Sequence, residues 1–205
     1  MKMTASLLQA CDYYFQTGSQ RAMQQLHETL TTGFVGNAAT RRGEAYESYV
    51  NKILAENGRF NLDIEQEAFE ELRGTLQQEW IKPLVIQTKF GMFVFKGRTD
   101  YRRPDNLMVY DLKTTKRFDE SSYHSKWQHT IYAHAMDAPA FKYIVAVFQD
   151  SDSLEPVSIH KVAPVVQPLA ALKDKVEQCV DFLSKNFLED FEHWAGGKVL
   201  GLSGF

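Results

Sequence analysis

The chain has 205 residues, 44% of them apolar, and a net charge of −3. That length and apolar content suffice for one good core and exclude wholesale disorder, and the slight acidity argues against a general polyanion binder. No apolar run approaches the ~20 residues needed to cross a bilayer, and the amphipathic start MKMTASLLQACDYYF lacks a long apolar stretch with a cleavage site. Neither a membrane partner nor a signal peptide is expected.

Residues 4–16 and 19–31 read as two amphipathic helices, with Ser19 capping the second and Gly33 just past its end. Cys11 lies on the apolar stripe of the first, and Cys179 on that of a helix near the far end. Two buried thiols rather than a disulfide are expected, and with them a reducing, cytoplasmic compartment (host cytoplasm if the chain is phage-encoded). His27 reads as an ordinary surface residue.

A third helix spans about 38–57 and stops at Gly58, with Tyr46, Tyr49, Val50 and Ile53 as its apolar stripe. Two of its acids are candidates for function. Glu44 shares an exposed face with Ser48 and Asn51. Glu47 sits at the core margin, one turn after Gly43, whose small size lets another element approach closely. Glu47 is the better candidate for a ligand aimed at an interior site.

Residues 61–73 are ambiguous between an acidic helix and an extended lead-in. From 76 to 95 the pattern turns strand-like, as LQQEWI, PLVIQT and MFVF, with Gly91 marking a hairpin. Residues 97–113, GRTDYRRPDNLMVYDLK, read as a further hairpin continuing that sheet, with Pro104-Asp105-Asn106 as its turn. In that hairpin Asp100 lies roughly opposite Asp111, and Asp111 and Lys113 point the same way because side chains alternate along a strand. Unpaired, two carboxylates so close would repel until one took up a proton. A hard divalent cation such as Mg²⁺ or Mn²⁺ between them removes the problem, so the patch reads as a metal site with a lysine at its edge.

Charge is segregated in the same region. Residues 96–117 carry seven cations against three acids, whereas residues 63–79 carry Arg73 against six acids. A phosphate backbone would lie over the first stretch.

A polar loop, TTKRFDESS, leads to a helix at about 121–137, where Gln128 and Tyr132 stack one turn apart. His124, His129 and His134 step by five around that helix and do not make a metal cluster. Residues 141–149 read as a central strand, 157–162 as another, and a long packing helix follows, broken near Asn186 and ending at Gly196-Gly197. No repeat, low-complexity tract or linker interrupts the chain.

Each of these pieces is weak alone, since an Asp-x-Lys triplet mostly marks a solvated strand face and a helical glutamate is mostly solvated too. In order, they resemble the PD-(D/E)XK nuclease superfamily, specifically its RecB-like and lambda-exonuclease-like members. The matching motifs are GEAYE on a helix (Gly43, Glu47), GRTD entering a strand (Gly97, Asp100), DLK on the next strand (Asp111, Lys113) and QHTIY on a helix (Gln128, Tyr132). Thr114 and Thr115 extend the likeness. Thr99 replaces the proline of the superfamily's name. A literal Pro104-Asp105 lies nearby, but at the hairpin tip Asp105 would be about 20 Å along the strand from Asp111.

The resemblance implies a single-domain α/β fold with a restriction-endonuclease-like core, a central mixed β-sheet flanked by helices. Residues 1–36 would form a helical extension packed on a nuclease domain of residues 37–205. The implied activity is metal-dependent DNA exonuclease, with phage-type 5′ to 3′ resection of duplex ends in recombination or repair as the nearest analogy. An endonuclease or flap nuclease and a non-catalytic nucleic-acid-binding relative are the alternatives. Glu47, Asp100, Asp111 and the Leu112 backbone carbonyl would hold Mg²⁺, with Mn²⁺ substituting. Lys113 would orient or help deprotonate the attacking water, and Gln128 and Tyr132 would support the site. Arg42, Arg102, Arg103, Lys116 and Arg117 are the candidate DNA contacts. Trp127 and Tyr123 read as core or rim rather than base-stacking platforms. Two cysteines cannot hold the iron–sulfur cluster of some relatives. A single-strand annealing protein or recombinase as partner, and a trimeric ring, follow by analogy alone.

Overall fold

The computed structural model describes residues 1–31, 37–105, 107–149 and 153–196. Gly33, Asn106 and Gly197, which carry expected cap and turn positions, lie outside the described residues. In chain order the elements are β1 (Lys2–Met3), α1 (Ala5–Thr17), α2 (Gln20–Thr31), α3 (Ala38–Ala55), α4 (Asp63–Phe69), β2 (Leu76–Gln77), β3 (Leu84–Thr88), β4 (Gly91–Phe95), β5 (Tyr101–Arg102) and β6 (Val109–Thr115), then α5 (Ser121–His124), α6 (Gln128–Ala135), β7 (Phe141–Val147), β8 (Ser158–Val162), α7 (Leu169–Asn186) and α8 (Leu188–Ala195).

Ser19 caps α2 as expected, accepting from Ala22 N–H at 3.2 Å. The structure adds two further caps: Thr4 accepts from Leu7 N–H at 3.1 Å on α1, and Asn37 with Thr40 forms a capping box on α3. The ambiguous acidic stretch resolves as α4 followed by a 3-10 turn (Glu70–Leu72), because Glu65 turns inward to accept from the Tyr46 and Tyr49 hydroxyls at 2.8 and 3.2 Å. The expected helix over 121–137 is interrupted at Ser125–Trp127 and becomes α5 and α6. The break near Asn186 is present, between α7 and α8.

The strands make two sheets rather than one. β1, β4 and β3 form a three-stranded sheet in that order, with β1 parallel to β4. The five-stranded sheet runs β2-β5-β6-β7-β8, antiparallel except for the β6–β7 pair. The hairpin at 97–113 therefore does not continue the sheet before it: between Phe95 and Tyr101 the chain crosses from one sheet to the other. Residues 1–31 are woven into this arrangement through β1 and through Met3, Leu7, Leu8 and Cys11, all buried in the main core.

Alternation along the five-stranded sheet serves two cores. Val109, Phe141, Tyr143 and Val145 face the larger one, with α1, α2, α6, α7, α8 and the small sheet. Tyr110, Leu112, Ile144 and Ala146 face the smaller one, with Tyr46, Val50 and Leu54 of α3 and Phe69 of α4. Thus α3 and α6 lie on opposite faces of β6.

Cys11 and Cys179 correct one expectation. Both are fully buried, but α1 packs on α7 with their Cα atoms 5.9 Å apart, and the two sulfurs are joined as a disulfide. The argument for a reducing compartment, which rested on free thiols, falls with it. Among the described residues no helix is long and apolar enough to cross a membrane.

Candidate active site

The site forms where β5 falls short of β6. Tyr101 opposes Tyr110 and Arg102 opposes Val109, while β6 continues to Thr115 beyond the start of β5. Asp100, the residue before β5, fills the opening: its Oδ2 accepts from Leu112 N–H at 2.7 Å. An extended residue turns its N–H and C=O to the same side, so the Leu112 carbonyl faces this opening too.

Asp111 and Lys113 share the face of β6 that looks toward α6. Gln128, in the first turn of α6, donates from Nε2 to Asp111 Oδ1 at 2.6 Å. Lys113 Nζ lies 2.6 Å from Asp111 Oδ2 as an ion pair without hydrogen-bond alignment, so this oxygen is buried with a charge beside it and no aligned donor. Burial, with Asp111 and Glu47 adding like charge, pushes the Asp100 carboxyl well above the usual carboxylate range; Lys113 only partly opposes this. Burial by itself weakens the Lys113 ammonium's hold on its proton, but Asp111 and Asp100 outweigh it and hold the ammonium above the ordinary lysine value.

Glu47 comes from the other layer, on α3, near enough for its charge to act on Asp100. Its Oε1 accepts from Gln78 Nε2 at 2.8 Å. The structure therefore brings Asp100, Asp111, Lys113, Gln128 and Tyr132 together and leaves Glu47 at the rim, turned to Gln78. Among the described residues no three His, Cys, Asp or Glu side chains converge tightly enough to hold an ion by themselves. A divalent cation nevertheless fits what is present. Asp111 beside Asp100 raises the cost of ionising Asp100, one buried oxygen lacks an aligned donor, and a main-chain carbonyl faces the same opening.

Gln78 was not legible in the sequence. Its φ of +52° lies in the left-handed region, which costs a non-glycine residue about 1 kcal/mol or more, yet its amide is what positions Glu47. Residues LQQEWI alternate like a plain strand, and nothing in that pattern marks one glutamine as turned.

Two glycines make room for the site. A Cβ on Gly97 would stand 2.5 Å from Tyr132 Oη and 2.9 Å from its Cζ; a Cβ on Gly43 would stand 3.1 Å from Thr114 Oγ1. Gly97 and Tyr132 are thus one packing unit joining the two motifs. Gly97→Ala is expected to cost about 1–3 kcal/mol in urea denaturation, and Tyr132→Leu in the same chain should recover most of it.

The candidate DNA contacts divide. Arg42 is buried, its guanidinium 5.0 Å from the Phe148 ring centre. Arg102 pairs with Glu79 at 2.5 Å and Arg103 with Asp105 at 2.7 Å, at the hairpin tip where Asp105 was expected. Lys116 and Arg117 are exposed. Lys96, counted in the basic stretch but not named as a contact, and Lys126, which sequence reasoning missed, line a cleft of about 1120 Å³ with Lys113, Gln128 and Tyr132, walled by α1 and α2. Burial and the nearby Lys113 charge lower the Lys126 ammonium from its ordinary value. The three histidines of the 121–137 region stay apart: His129 and His134 bond the Val165 and Gln167 carbonyls, and burial pushes His129 down to about 4.

Among curated proteins none matches this sequence. Solved structures with the same fold include SSO0001 (TM-score 0.54, 13% identity, covering 95% of this chain and 83% of that one). They also include a phage-related exonuclease from Haemophilus somnus 129PT (TM-score 0.50, 13% identity, 90% and 92% covered). A third is the alkaline exonuclease LHK-Exo from Laribacter hongkongensis (TM-score 0.50, 13% identity, 94% and 91% covered). At that identity the likenesses speak for the fold. The model of one family matches residues 8–198, nearly the whole chain, and with the Asp100–Asp111–Lys113 cluster in place the conclusion is plain: this chain belongs to the PD-(D/E)XK nuclease superfamily.

Proposed function

We propose that this protein is a metal-dependent DNA exonuclease that hydrolyses phosphodiester bonds and resects duplex ends 5′ to 3′, in recombination, repair or phage DNA metabolism. The observation that carries the reading is Asp100, Asp111 and Lys113 gathered at the open edge of β6, in a member of a nuclease superfamily. The preference for ends rests on the Gln128–Tyr132 motif and on a fold shared with two structures named as exonucleases.

Asp100, Asp111 and the Leu112 carbonyl would hold the cation, Mg²⁺ or Mn²⁺, with Glu47 completing the set from the rim. When bound, the cation supplies positive charge against the scissile phosphate and acidifies water. Gln128 fixes the rotamer of Asp111 through its 2.6 Å bond. Lys113, kept as an ammonium by its carboxylate neighbours, is suited to orient the attacking water and to face the phosphate, and is a poor proton acceptor in that state. Tyr132 packs on Gly97 and sets the position of the α6 side of the site.

Linear duplex and covalently closed circular DNA, each incubated with Mg²⁺ and with EDTA, test the reading. Degradation of the linear form alone, and only with Mg²⁺, is expected. Cleavage of closed circles would move the assignment to an endonuclease, and no metal-dependent hydrolysis of either would reject the nuclease reading. End-labelled duplexes then report polarity.

A further inference from the structure

Trp80 is 75% exposed, more than any other large apolar side chain among the described residues. Burying an indole is among the larger gains available to a fold, so one left in water is informative. Its position is fixed by backbone. Trp80 forms an antiparallel bridge with Arg98, flanked by Ile81 N–H to Gly97 O at 3.0 Å and Thr99 N–H to Glu79 O at 2.8 Å. That pattern makes Trp80 and Arg98 a non-hydrogen-bonded pair, the kind whose side chains lie closest, side by side on one face.

Two residues along the same ribbon lie Gln78, which positions Glu47, and Asp100, whose carbonyl accepts from Gln78 N–H at 2.9 Å. The Trp80–Arg98 pair therefore stands about 7 Å along the chain from the candidate metal site. Arg98 is exposed and, among the described residues, has no ion-pair partner, whereas Arg102 and Arg103 are both engaged by acids. The residues flanking Trp80 in the chain are polar (Gln78, Glu79, Lys82) or, as Ile81, buried, so along this ribbon the indole is the one large apolar side chain turned to water.

We propose that Trp80 and Arg98 form a stacking platform for one unpaired base of the strand entering the site, the indole taking the face of the base and the guanidinium the adjoining phosphate. This rests on the nucleic-acid reading above and adds to it a preference for an unpaired nucleotide beside the scissile bond.

The test is anisotropy titration of a short fluorescein-labelled oligothymidylate, and of an abasic strand of equal length and charge, against the full chain in EDTA. Wild type should bind the oligothymidylate on the order of tenfold more tightly than Trp80→Ala, with Trp80→Phe in between. The abasic strand should bind wild type and Trp80→Ala alike. In Mg²⁺, Trp80→Ala should raise KM and leave kcat within a few-fold. Equal oligothymidylate binding by wild type and Trp80→Ala would overturn the proposal, as would an equal loss on the abasic strand. So would self-association of wild type that Trp80→Ala abolishes without change in binding, which would make the indole a protein interface. Base-dependent binding through Trp80 without any metal-dependent hydrolysis would leave the platform standing and sink the nuclease reading instead.

Discussion

Asp111→Asn is expected to abolish metal-dependent hydrolysis of linear duplex DNA while leaving the protein folded. The asparagine carbonyl can still accept from Gln128, so the 2.6 Å bond that joins α6 to β6 survives. What disappears is the negative charge: a cation loses a buried carboxylate, and Lys113 loses the neighbour that does most to keep it charged. Charge stabilisation of this kind amounts to several kcal/mol, so the rate should fall roughly a thousandfold, or about 4 kcal/mol. Asp111→Ala should lose as much activity and also stability, because Gln128 and Lys113 are then left partly buried without their partner. Near-wild-type hydrolysis by Asp111→Asn would show that the reaction happens elsewhere on the molecule.

Asp100→Asn should destroy activity and raise stability in EDTA. Below the unfolded value of about 3.9 the Asp100 carboxyl is neutral in both states. Above it the unfolded chain ionises freely, while burial and the charges of Asp111 and Glu47 resist ionisation in the folded protein. Stability is therefore lost as pH rises through the folded value, and an amide at this position escapes the loss. An asparagine oxygen can still accept from Leu112 N–H, so the main-chain bond is kept. Relief of such a functional strain commonly yields about 0.5–2 kcal/mol, here roughly 2–6 °C near neutral pH, with the gain fading below about pH 3.9. Mg²⁺ should reverse the order, since a cation at a hundredfold excess over its Kd stabilises wild type by about 2.7 kcal/mol and the variant by much less. Melting curves of both proteins with EDTA and with Mg²⁺ decide it. A variant that melts lower in EDTA would make Asp100 a structural cap on β6 and nothing more.

Both expectations depend on a geometry that was partly readable in advance. The pairing of Asp100 with Asp111 is legible because a hairpin has a register: Tyr101 opposite Tyr110 puts residue 100 beside 111. Lys113 follows from strand alternation, and Gln128 with Tyr132 from helical spacing. Gln78 was not legible, since neither its left-handed backbone nor its bond to Glu47 on another layer follows from a local preference. Arg42 differs in another way. A cation on a functional helix suggests phosphate, whereas the structure buries it with its guanidinium 5.0 Å from the Phe148 ring centre, a placement that packing across layers decides.

By itself the sequence determined the helices α1, α2 and α3 with the Ser19 cap, the β5–β6 hairpin and the four spaced motifs, because caps, turns and periodicities act over a few neighbouring residues. Only the tertiary structure decided that the strands divide into two sheets, that Cys11 meets Cys179, and that Glu47 stands at the rim while Trp80 stays in water. Those outcomes are set by which distant surfaces bury one another, and a periodicity that says which face is apolar does not say what will cover it.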